Sequence, residues 1–103
     1  MELQNDLIEI ISLSGNVKKK FLKAVKYAKN DEAEKAEKIY QEADDQLINA
    51  HLKQTELIKK EANGEKIESS LMLTHAQDHL MTAILLRDMA KEFMDLYTRL
   101  ENE

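Results

Sequence analysis

An all-α fold is predicted by three features of this sequence: it contains no proline, it has only two glycines in 103 residues, and its apolar residues recur in steps of three and four. Proline removes an intrahelical hydrogen bond and clashes with the preceding turn, so its absence permits long uninterrupted helices. Steps of three and four place side chains on one face of a helix with 3.6 residues per turn. The composition agrees, with 34% charged and 43% hydrophobic residues, a mix typical of helical chains when Ala, Glu, Lys and Leu dominate it. The length suits one domain, residues 1–103. Short connectors then predict an antiparallel three-helix bundle, with helices near 2–29, 31–63 and 70–101.

The first helix follows from Leu3, Leu7, Ile10, Val17, Phe21, Val25 and Ala28, which form one stripe. Gly15 interrupts it and is expected to allow a close helix contact or a kink. The stretch Lys29–Asn30–Asp31 reads as a stop, with Asp31 as the N-cap of the next helix and Glu32 and Glu34 suiting its positive N-terminus.

The second helix follows from Ala33, Ala36, Tyr40, Ala43, Leu47, Ala50, Leu57 and Ile58. Its many alanines let a partner helix approach closely. Gly64, after Asn63, fits a helix C-cap. His51 on this helix reads as structural.

The third helix is expected to be capped by Ser69 or Ser70. Its inner stripe is read as Met72, Ala76, His79, Ala83, Leu86, Ala90, Phe93, Tyr97 and Leu100. Leu71, Leu73, Leu80, Met81, Ile84, Leu85, Met89, Met94 and Leu96 fall outside that stripe. A helix that is apolar nearly all round must be covered nearly all round. Two neighbouring helices cannot do so, which predicts self-association through the third helix.

Several function classes are disfavoured. Without cysteine there are no disulfides, thiolate nucleophiles or cysteine–zinc sites. The net charge of −5 argues against nucleic acid, which requires a basic surface. The charge is uneven: residues 1–30 hold six lysines against three acids, which suits a solvated basic helix face. No apolar run approaches the ~20 residues that span a bilayer, and no secretion signal opens the chain, so a soluble cytoplasmic protein is expected.

Within the apolar third helix, the stretch LTHAQDHLMTAILL places His75, Asp78 and His79 inside five residues. Burying such groups unpaired is costly. Three readings stand on spacing alone. In the first, the group is packed structurally within a helical adaptor. In the second, the pair at i and i+4 holds a metal, although the zinc-protease and di-iron patterns are absent. In the third, a neutral imidazole attacks a phosphoryl group and holds it as a labile P–N adduct. For the third reading, His75 has Gln77, His79 and Thr82 as nearby candidate donors.

The segment SLMLTHAQDHLMTAILLRDMAKEFMDLY at residues 70–97 resembles the lactose/cellobiose-type enzyme IIA component of the bacterial phosphoenolpyruvate-dependent sugar phosphotransferase system. The likeness extends to INAHLKQTELIKKEANGEKIE at residues 48–68 and to Ser14, Gly15 and Asn16, so it covers nearly the whole chain. The following GNVKKKF departs from the small-residue and Ala-Arg-Ser context of that family. The resemblance implies that His75 is the phosphoryl acceptor. It implies a homotrimer of three-helix subunits, a nine-helix bundle, in which Asp78 and its two copies share Mg2+ or a similar cation on the threefold axis. No organic cofactor is implied. The implied partners are HPr as phosphoryl donor, a cysteine of enzyme IIB as acceptor and, indirectly, the membrane enzyme IIC during uptake of a β-linked disaccharide of the cellobiose, chitobiose or lactose type.

Overall fold

The computed structural model describes residues 2–103, so residue 1 of the expected domain lies outside the described residues. It holds three helices, α1 (Glu2–Lys29), α2 (Ala33–Ala62) and α3 (Leu71–Glu101). They form a rod of 55 × 20 × 19 Å. Consecutive helices are antiparallel and α1 runs parallel to α3. Across α1 and α2, Lys53 Nζ lies 3.6 Å from Asp6 and 3.1 Å from Glu9, while Lys20 lies 3.9 Å from Glu42.

The α1–α2 corner differs from expectation. Asp31 does not cap α2 but sits at φ 61°, in the left-handed region. The Asp31 N–H donates to Ala28 O at 3.2 Å and the Glu32 N–H donates to Tyr27 O at 2.8 Å. This is a Schellman closure of α1 with Asp31 in the position usually taken by glycine, and a short polar side chain tolerates it. The two residues consumed by the closure explain why α2 begins at Ala33 rather than 31, with Glu32 as N-cap and no side-chain cap bond. The end of α2 is built the same way and as expected. Gly64 takes φ 94°, its N–H donates to Glu61 O at 3.1 Å, and the Glu65 N–H donates to Lys60 O at 3.0 Å.

Gly15 does not break α1 and makes no close contact. α1 continues through it, and a Cβ added there would meet nothing within 4 Å.

The core is thin. Leu7, Ile10, Val17, Phe21, Leu47 and Leu80 are its large members, and half of the buried apolar residues among those described are alanine. Tyr40 ties all three helices together. Its ring lies 5.2 Å from that of Phe21, and its hydroxyl donates to Arg87 O at 3.2 Å. The stripe expected to face inward on α3 is rotated. Ala76, Ala83 and Ala90 are buried as read, but Leu80 and Met94 join them, whereas Met72, Phe93 and Leu100 are exposed. An all-round apolar helix carries two stripes, and sequence alone does not say which one the chain's own core takes.

Ser70 caps α3, its Oγ accepting from the Leu73 N–H at 3.0 Å. Replacing Ser70 by alanine is expected to cost about 1 kcal/mol, read as a lower urea midpoint at unchanged slope.

Candidate functional site

The cap fixes the first turn of α3, and His75 stands in the next turn with its ring exposed. The His79 ring is half-buried one turn further on. The two ring centroids are 4.6 Å apart at 87°, an edge-to-face pair. From α1, Lys18 Nζ reaches His79 Nδ1 at 3.1 Å. Burial lowers the pKa of Lys18 from the ordinary lysine value. The pKa of His79 is also lowered, first by burial, then by the Lys18 charge and then by His75. Burial and a neighbouring cation both disfavour imidazolium, so His79 is held neutral.

The remaining candidates divide. Asp78 is exposed and lies about 60° around the helix from His75. Thr82 turns inward to its own backbone, its hydroxyl within hydrogen-bonding distance of Asp78 O at 2.9 Å and His79 O at 3.1 Å. That hydroxyl's proton is committed to the helix, so Thr82 is no free donor for a ligand on His75. Gln77 is placed on the other side of α3, where it borders a groove with Gln54, Leu57, Ile58, Glu61, Ile67 and Leu73. Two helical positions advance the azimuth by about 200°, which carries Gln77 away from the face of His75. His51 is not packed in the core. It is exposed and lines a cleft of about 250 Å³ with Leu47, Ile48, Leu52, Ile84 and Arg87.

Lys18 is the residue that sequence reasoning missed, because it was counted with the solvated lysines of α1. The available signal was its position beside Val17 and one turn after Ser14, both fully buried, which puts it at the edge of the core stripe.

Leu71, His75, Asp78, Thr82, Leu85 and Met89 step alternately by four and three along the outer side of α3. This is the 3.5-residue period of a coiled-coil seam. Leu71, Leu85 and Met89 are 86%, 62% and 45% exposed in the single chain. No group of three or more His, Cys, Asp or Glu suited to a metal occurs within one chain among the described residues. Within one chain Asp78 is therefore a single exposed carboxylate, short of the oxygen set a hard cation takes. No helix of the described residues is long and apolar enough to cross a membrane. Chemically, the site offers an exposed imidazole on a rigid helix, flanked by a neutral imidazole and an ammonium group.

Residues 5–98 match the family model described as "PTS system, Lactose/Cellobiose specific IIA subunit". The chain is 42% identical over 102 residues to the lichenan-specific phosphotransferase enzyme IIA component of Bacillus subtilis, covering 99% of this chain and 93% of that protein. Its fold superposes on the crystal structure of the cellobiose-specific enzyme IIA from Bacillus anthracis with a TM-score of 0.93, at 41% identity over 96% of this chain and 91% of that one. The solution structure of a IIA(chitobiose)–HPr complex also matches, with a TM-score of 0.86, 34% identity and 98% coverage of both chains.

Proposed function

The chain belongs to the lactose/cellobiose-specific IIA family of the sugar phosphotransferase system, and from that premise we propose that His75 carries the phosphoryl group from HPr to enzyme IIB. The observation that supports this reading is the exposed His75 ring beside the Lys18–His79 pair. A neutral His75 nitrogen attacks the phosphorus of phosphohistidine on HPr in line. The new P–N bond forms as the old one breaks, and HPr keeps the electron pair on its imidazole. In the next step a IIB cysteine thiolate attacks the same phosphorus, a P–S bond forms, and His75 is released neutral. Positioning and electrostatics carry this transfer, since the phosphoryl group passes between preformed nucleophiles.

The setting is a homotrimer in the cytoplasm, with the outer stripe of α3 at the subunit contacts. The cargo is a β-linked disaccharide that the membrane component IIC takes up. Asp78 fits a cation shared by three copies. It is a hard oxygen donor, exposed in the single chain, on a stripe otherwise apolar at Leu71 and Leu85. When bound, Mg2+ or a similar ion would neutralise three converging carboxylates that otherwise repel one another. Replacing Asp78 by asparagine is therefore expected to leave the trimer insensitive to a chelator, whereas the wild type loosens. Sedimentation velocity with and without chelator measures this, and equal chelator response in both proteins would contradict the shared cation.

The carrier reading is tested by incubating the protein with phosphoenolpyruvate and the proteins that phosphorylate HPr. The expected result is an acid-labile gain of about 80 Da, the mass of one phosphoryl group. A helical adaptor with a packed histidine gains nothing.

A further inference from the structure

We propose that Lys18 is a positioning residue for phosphoryl transfer: its donation to His79 Nδ1 fixes His79 as the Nε2–H tautomer and so places a neutral hydrogen-bond donor beside His75. This rests on His75 being the phosphoryl acceptor and deepens that reading.

The chemistry of the contact leaves little choice. An ammonium group has three donors and no acceptor, so at 3.1 Å from Lys18 Nζ the His79 Nδ1 accepts. A neutral imidazole carries one N–H, which then sits on Nε2. The His79 ring stands edge-to-face with His75 at 4.6 Å, so a phosphoryl group bonded to His75 projects into space that His79 borders. Phosphoryl oxygens are acceptors only. A His79 presenting a bare Nε2 lone pair would repel them, while the Nε2–H tautomer attracts them.

A second observation concerns charge. The half-buried Lys18 makes no salt bridge with any carboxylate among the described residues, unlike its neighbour Lys20, which pairs with Glu42 at 3.9 Å. Among the described residues, its only side-chain hydrogen bond is to the neutral His79 ring. Removing a cation from water without an anion is unfavourable, and a phosphoryl group arriving on His75 supplies the missing negative charge to the same cluster. The placement follows from the fold. Val17 and Phe21 are fully buried on α1, and the parallel packing of α1 on α3 brings Lys18, on the rim of that stripe, opposite His79.

The test uses the full-length chain labelled with 15N and phosphorylated HPr as donor. Long-range 1H–15N correlation of the wild type is expected to show a pyrrole-like Nε2 and a pyridine-like Nδ1 at His79. The Lys18→Met variant should lose this single pattern and accept phosphate about tenfold more slowly, the scale of one hydrogen bond involving a charged group. Its melting temperature should stay close to the wild-type value. Lys18→Arg, which also donates, should restore both the tautomer and most of the rate. An Nδ1–H tautomer in the wild type, or wild-type transfer by Lys18→Met, overturns the role of Lys18 while His75 phosphorylation still stands. A wild type that takes no phosphate on His75 overturns the carrier reading and this inference together.

Discussion

Replacing His75 by alanine is expected to leave a folded chain that takes up no acid-labile phosphate. The substitution removes the nucleophile itself, so the expected loss is at least about a thousandfold, to the limit of detection. The fold should barely register it. The His75 ring is exposed, and surface substitutions away from special backbone sites stay within about 0.5 kcal/mol. An unchanged helical spectrum and melting temperature beside an absent mass gain would separate lost chemistry from lost structure. A second imidazole lies close enough to raise the question of a surrogate. His79 is poorly suited to that task, because its ring is half-buried and its Nδ1 is engaged by Lys18. His79→Ala is accordingly expected to remain a phosphoryl acceptor, at a rate lower by about tenfold for one lost donor. If phosphate is found on the His75→Ala protein, the assignment of the acceptor is wrong.

Much of the architecture could be read from the residues because helices are local objects. The regular steps at Leu7, Ile10, Val17 and Phe21 gave α1, and Gly64 and Ser70 marked the end of α2 and the start of α3 through bonds formed within a few residues. The reading failed where two local rules compete. Asp31 is a good N-cap and also a tolerable left-handed residue, and the structure uses the second property. Across the chain, prediction was weaker. The α3 stripe around Leu80 and Met94, rather than Met72 and Phe93, faces the other helices, and hydrophobicity alone does not distinguish these stripes.

The site shows the same division. His75, Asp78 and His79 were visible as polar residues in an apolar helix, and spacing put His75 and His79 on one face, where the rings indeed meet. Lys18 is 61 positions away in sequence, and only the register of α1 against α3 reveals it. Gln77 and Thr82 are close to His75 in sequence, but within the single chain Gln77 borders the groove on the other side of α3 and the Thr82 hydroxyl bonds its own helix.

Leu85→Glu is expected to convert the assembly into folded single chains. In one chain Leu85 is 62% exposed, so the carboxylate stays solvated there and the bundle core is untouched. In the assembly the same position falls on the outer α3 stripe, one heptad after Asp78. Full burial of a leucine side chain contributes about 1.5–3 kcal/mol, and forcing an ionised carboxylate into an apolar contact adds a penalty of its own. With three copies of the change per trimer, the loss is on the order of 10 kcal/mol, enough to dissociate most assemblies at micromolar concentration. The thin core strengthens the expectation. Eight large apolar side chains of α3, from Leu71 to Leu100, are exposed in the isolated chain among the described residues, more than a monomeric domain of this size ordinarily leaves in water. Sedimentation equilibrium should give about three times the 11.9 kDa chain mass for the wild type and for His75→Ala, and the single-chain mass for Leu85→Glu. A wild type sedimenting as one chain, or a Leu85→Glu trimer, would remove the outer stripe of α3 from the subunit interface.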